Sequence, residues 1–174
     1  VTRLRRRRVE TVTGYVPGAL GRILELQESF YVDGWGFDFE FVRWTATELV
    51  TYLDQYDKAT DRLVLGVDPG TTREDGTILG SVVVHGDRDV PGHAQLRWFI
   101  VDPEARGIGF GRRLFERAMA FCESTEVERV SLTTIEGLDA AIHLYEDYGF
   151  DLVERRRQRK WEQDVVFVRY EAFL

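Results

Sequence analysis

Three glycines alternate in the segment Arg106-Gly107-Ile108-Gly109-Phe110-Gly111, just ahead of a stretch with helical periodicity. This spacing suits anion binding. Glycine removes the Cβ that would hold a ligand away from the backbone, so successive N–H groups can converge on one charge. The first turn of the following helix adds unpaired amides and a favourable dipole. Arg106, Arg112 and Arg113 supply positive charge for phosphate oxygens. The implied ligand is a phosphate or pyrophosphate. The loop lacks the Gly-Lys-Ser/Thr ending of a P-loop, and its GxGxG spacing is not the GxGxxG dinucleotide fingerprint. Metal chemistry is not expected. Cys122 is the single cysteine, and His85, His93 and His143 stand far apart.

The elements that must present this loop can be read from hydrophobic spacing. The segment 9–15 alternates like a strand and stops at Pro17 and Gly18. Helices are predicted over 19–31 and 42–56, the second with Ala46, Leu49, Val50 and Leu53 on its apolar face. Between them lies an aromatic, glycine-rich loop. Segments 62–67, 78–85 and 95–101 read as an antiparallel meander joined by turn-rich loops. A helix from the glycine loop to about 123, a strand at 129–134, a helix at 138–148 and strands at 150–155 and 165–173 complete the chain. The order β-α-α-β-β-β-α-β-α-β-β predicts an α/β (α+β) fold, a mixed and mostly antiparallel sheet with helices on both faces.

Charge narrows the partners. The 174 residues carry 23 basic and 30 acidic side chains, a net charge of −7. Ten of the basic residues sit in two runs, 1–8 and 154–160; outside them 13 face 29 acids. So acidic a body does not suit broad nucleic-acid binding, which depends on displacing counterions. Both runs are read as solvated edges. No apolar run approaches the roughly 18 residues of a transmembrane helix, and no apolar stretch follows the N-terminal arginines. The expectation is one cytoplasmic domain over 1–174 with a basic extension at 1–8.

The glycine loop fits the R/Q-x-x-G-x-G/A signature. Val101-Asp102-Pro103 lies before it and Leu144-Tyr145-Glu146-Asp147-Tyr148-Gly149-Phe150 after it. On these residues the chain resembles the GNAT superfamily of acyl-CoA-dependent N-acetyltransferases. The element order agrees over the whole chain, while the specific motifs fall within 96–150. The stretches LRWFIVDPEARGIGFGRRL and GLDAAIHLYEDYGF, with the Trp161 region, also look like the acetyltransferase half of MarR–GNAT fusion proteins.

The resemblance implies acetyl-CoA as co-substrate, with no metal. Phe99, Ile100 and Val101 would pair through their backbone with the pantetheine arm. The backbone of Arg106, Gly107, Ile108, Gly109, Phe110, Gly111 and Arg112 would hold the pyrophosphate. Strands 96–101 and 129–134 would splay apart around the thioester. A neutral amine would attack the thioester directly in a ternary complex, and Tyr145 would donate to the departing thiolate. The family's strand glutamate falls at Arg97, and its asparagine near the start of the later helix falls at Leu138. The base is therefore open among Glu40 in the first interhelical loop, Glu136 after the strand, and His93, the last read as a plain loop histidine. Residues 30–45 should build the acceptor site for a primary amine on a small molecule or protein. The alternative is a non-catalytic acyl-CoA sensor or interaction module of the same fold. The family also allows a homodimer through sheet edges.

Overall fold

Short β-branched and aliphatic runs build one seven-stranded sheet, in the order β1-β2-β3-β4-β5-β7-β6. In the computed structural model, residues 9–70 and 77–174 are described. The 1–8 run and part of the loop after Asp68 lie outside them. Along the chain come β1 (Glu10–Thr13), α1 (Ala19–Glu28), a π-helical turn (Ser29–Asp33) and α2 (Phe39–Asp54). Then follow β2 (Arg62–Asp68), β3 (Thr77–Gly86), β4 (His93–Val101), α3 (Phe110–Glu123), β5 (Arg129–Ile135), α4 (Asp139–Asp147), β6 (Asp151–Lys160) and β7 (Gln163–Phe173). The element order matches the expectation. Every neighbouring pair is antiparallel except β4–β5. Among the described residues no helix is long and apolar enough to cross a membrane.

Both faces are covered. On one, α3 and α4 bring Leu114, Phe115, Ala118 and Tyr145 against Val82, Ala94, Leu96, Val130 and Leu132. On the other, Ile23, Leu49 and Tyr52 pack over Leu63, Leu65, Val83 and Trp98. Each Val, Leu, Ile or Phe among them contributes roughly 1.5–3 kcal/mol by leaving water. The N-terminus of α3 is fixed by a close approach. Phe110 is 1% exposed, and its ring sits where side chains of β2 and β3 would be. A Cβ on Gly66 would lie 1.7 Å from Phe110 Cζ, and one on Gly80 would lie 2.7 Å from the Ile100 carbonyl oxygen. Two glycines in the sheet thus seat the ring that anchors the helix after the glycine loop.

Several boundaries differ from the sequence reading. Asp38 caps α2 by accepting from the Glu40 amide at 3.1 Å, so the helix starts at Phe39 and Glu40 is in its first turn, not in a loop. Its buried face is Phe41, Thr45, Leu49 and Tyr52, whereas Val50 is exposed. The aromatic residues of the interhelical segment shift the buried stripe away from the aliphatic pattern. The first helix ends in the π turn, which opens the backbone by one residue per turn. His93 is not in a loop; it is the buried first residue of β4. The basic run 154–160 belongs to β6, an edge strand exposed along both faces, where charge deters pairing with a stray strand.

Candidate active site

The sheet opens in the middle. Strands β4 and β5 pair in parallel from His93↔Arg129 to Leu96↔Leu132 and no further. At that point β4 carries a bulge against β3. Ser81 faces Ile100 and Val83 faces Arg97, so Trp98 and Phe99 together oppose one residue. Trp98 takes φ +45°, a left-handed conformation that costs a bulky residue free energy. The Ser81 hydroxyl holds it by donating to the Trp98 carbonyl at 2.7 Å. The bulge bends β4 away from β5, so the β5-facing backbone edge of residues 97–101 has no strand partner. The expected splay is present, and it leaves an edge suited to an extended ligand.

The glycine loop lies beyond the end of this edge. Gly107 and Gly109 have φ +76° and +73°, and Gly109 is the N-cap of α3 with no side chain to close the helix end. The first amides of α3 therefore lack both intrahelical and side-chain acceptors. Ile108 is exposed, whereas the Phe110 side chain belongs to the core, so Phe110 can serve a ligand only through its amide. Two of the arginines are partly engaged already. Arg106 donates to the Val101 carbonyl at 3.0 Å, and Arg112 donates to Asp147 at 2.7 Å.

A cavity of about 700 Å³ occupies the opening and continues over the α2 side of the sheet. Tyr145 reaches it from α4, and Leu96, Phe99 and Leu132 line it where the strands part. The 30–45 segment supplies Tyr31, Phe37, Phe41, Trp44 and Thr45 as one wall. The β6–β7 hairpin supplies another. Its two turn residues, Trp161 and Glu162, both have positive φ, at 53° and 60°. Contacts hold that turn in place. Trp161 stacks within 4.9–5.4 Å of Phe37, Phe41 and Trp44, and Gln163 donates to the Gly36 carbonyl at 2.9 Å.

Tyr145 is 5% exposed and surrounded by Phe99, Phe115, Phe150 and Tyr170 at centroid distances of 5.6–6.3 Å. Burial raises its phenol pKa well above the ordinary value, with a smaller contribution from Tyr31. It stays a neutral proton donor over the whole physiological range.

The predicted bases do not join it. Glu40 and Glu136 are not among the cavity-lining residues. Glu40 is clamped by Arg43 on the outer side of α2, and Glu136 is held by a two-pronged contact with Arg155 at 2.7 and 2.9 Å. The hydrogen bonds from these arginines keep both carboxyls below the ordinary glutamate value. Leu138 is the N-cap of α4 and offers no polar cap.

Of the cavity groups, Glu48 was missed and His93, named as a candidate base, was misplaced in a loop. Glu48 reaches in from α2 and accepts from Arg97 at 2.8 Å. The carboxylate that the strand lacks at position 97 is thus supplied by the facing helix. Its signal was the stripe Phe41, Thr45, Glu48 and Tyr52, at spacings of three and four. The Nδ1 of His93 lies 2.8 Å from Asp87 and its Nε2 lies 2.8 Å from Ser131. The carboxylate can only accept, so Nδ1 carries a proton, and in the neutral ring Nε2 accepts from the Ser131 hydroxyl. Among the described residues no group of His, Cys, Asp and Glu could hold a metal ion.

Comparison with known proteins agrees with this geometry. Residues 22–150 match the Acetyltransferase (GNAT) family. An uncharacterized N-acetyltransferase of Schizosaccharomyces pombe is 28% identical over 124 residues, 71% of this chain and 72% of that protein. Among solved structures, an acetyltransferase from Streptococcus agalactiae superposes with a TM-score of 0.72 at 20% identity, covering 95% of this chain and 98% of the other. A Salmonella typhimurium protein solved with its cofactor acetyl-CoA superposes with a TM-score of 0.67 at 13% identity, covering 94% of each chain. The chain belongs to the GNAT family of acetyltransferases.

Proposed function

We propose that the protein transfers an acetyl group from acetyl-CoA to a primary amine, in a ternary complex without a covalent enzyme intermediate. The observation that carries this reading is the parting of β4 and β5 beyond Leu96↔Leu132, with Tyr145 lining the opening. The pantetheine arm would add to the free edge at Phe99, Ile100 and Val101. The pyrophosphate would rest on the amides of 107–112, with Arg106 and Arg112 close by. The thioester would then sit beside Tyr145, facing the aromatic cavity.

In the reaction the amine nitrogen attacks the thioester carbonyl carbon. A C–N bond forms and the C–S bond breaks. The departing sulfur takes a hydrogen bond or proton from the Tyr145 hydroxyl. The amine loses a proton on the cavity side, where Glu48 is the nearest fit to the missing strand carboxylate. Arg97 holds Glu48 in place. Glu40 and Glu136, which do not line the cavity, fit this role less well.

The test is free-thiol release from acetyl-CoA in the presence of a broad panel of amines, with mass spectrometry of each amine. Thiol release matched one-for-one by acetylated amine supports the reading. A folded protein that binds acetyl-CoA and acetylates nothing in the panel supports the sensor alternative instead.

A further inference from the structure

The cavity on the α2 side is lined by charge of mostly one sign. It contains Arg97, Arg129, Arg156, Lys160 and Arg169 but only two carboxylates, Glu48 and Asp87. This excess of cations sits in a chain whose net charge is −7. The two acids are already committed, Glu48 to Arg97 and Asp87 to His93. Arg129 and Arg169 share one carboxylate, Glu171. Among the described residues, Arg156 and Lys160 have no carboxylate within ion-pair distance.

These two cations are also held in place. They lie four residues apart on β6, so both project to the same side of the strand. The Arg156 guanidinium lies over the Phe167 ring at 6.0 Å. The Lys160 ammonium sits among Trp161 at 4.4 Å, Trp44 at 4.9 Å and Phe167 at 5.8 Å. Burial, and then the charge of Arg156, pull the Lys160 pKa below the ordinary lysine value. Two like charges over one aromatic ring raise each other's energy, and a bound anion relieves both.

We propose that the acceptor is an amine that also carries an acidic group, a carboxylate or a phosphate. The acidic group docks on Arg156 and Lys160, and the amine reaches the thioester beside Tyr145. An apolar body between the two groups lies along Trp44, Trp161 and Phe167. A di- or polyamine meets repulsion at the far end and is disfavoured. This inference rests on the acetyl-transfer reading and names the substrate class of the same site.

The experiment compares matched pairs in the thiol-release assay: 4-(aminomethyl)benzoate with 4-(aminomethyl)benzamide, and 4-aminobutyrate with 1,4-diaminobutane. The acidic member of each pair is expected to show the higher kcat/KM, by about tenfold or more, as befits a charge-assisted contact. Arg156→Gln and Lys160→Gln should each reduce that preference by about tenfold, with both variants folded by thermal melt and Lys160→Gln melting slightly lower for its lost aromatic contacts. Equal rates within pairs, preference for the neutral or dicationic member, or a preference unmoved by both variants overturns the inference while leaving acetyl transfer standing. A protein that binds acetyl-CoA and turns over neither acidic probe also overturns it. Failure to bind acetyl-CoA at all overturns the acetyl-transfer reading and this inference together.

Discussion

Replacing Tyr145 by phenylalanine separates chemistry from packing. The ring is 5% exposed and touches four aromatic neighbours, all of which a phenylalanine ring keeps. Only the hydroxyl oxygen is lost. A single hydroxyl changes stability by about 1 kcal/mol at most, equal to a melting shift of roughly 2–4 °C for a chain of this size. The catalytic cost is on a different scale. A positioned general acid contributes about 10²–10⁴ in rate, or roughly 3–5 kcal/mol of barrier. Tyr145→Phe is therefore expected to melt near the wild type, bind acetyl-CoA equally well and lose at least a hundredfold in kcat. The pH dependence gives a second readout. Because burial raises the phenol pKa above its ordinary value of 10.0, the neutral donor persists as pH rises through that value, and no alkaline fall in kcat there belongs to Tyr145. The same direction means that its contribution to stability is complete below about pH 10 and is lost only at higher pH. Thiol release under saturating acetyl-CoA, beside a thermal melt and a calorimetric titration, decides the matter. A variant that keeps kcat within a few fold refutes the acid role and makes Tyr145 a packing residue.

Two further predictions concern the scaffold. Gly66→Ala places a methyl against the Phe110 ring, 1.7 Å from its Cζ, so the ring or the start of α3 must shift. Differential scanning calorimetry should show a loss of about 1–3 kcal/mol, as for overpacked cores, and acetyl-CoA affinity should fall with it because Phe110 opens the helix whose first amides are proposed to hold the pyrophosphate. A variant with wild-type stability and affinity would contradict the coupling. Cys122 is fully buried, and its thiol pKa is raised to about 12 by burial. Iodoacetamide at pH 8 should leave the native protein unmodified and label it once in denaturant, as read by intact mass. Rapid native labelling would contradict the packing of α3.

Much of this architecture was legible because two periodicities dominate it. The continuous apolar run at 78–85, the alternation over 95–101 and the helical spacing of Phe110, Leu114, Phe115 and Ala118 report directly on buried faces. Glycines at the strand-to-helix junction marked the N-terminus of α3, and the LYEDYGF stretch marked Tyr145, which lines the cavity. What was not legible depended on contacts between distant residues. Glu48 became a site residue only because α2 crosses the sheet beside Arg97, 49 positions away. His93 meets its partner Ser131, 38 positions away, only across a parallel strand pair. The start of α2 was misplaced by three residues because Asp38 caps a helix whose first turn is aromatic, which breaks the aliphatic pattern. Glu40 and Glu136 were attractive as isolated acids. Their arginine partners, Arg43 three residues on and Arg155 across the sheet end, turn them outward.

The most direct test of the central claim is calorimetric titration of acetyl-CoA into the wild type and into Ile108→Glu. Ile108 is exposed on the glycine loop, so the substitution adds a negative charge at the proposed pyrophosphate site without disturbing the core or a glycine conformation. The account predicts one site on the wild type and an affinity at least tenfold weaker in the variant at equal folded stability. No binding to folded wild type, or equal binding to both proteins, would contradict it.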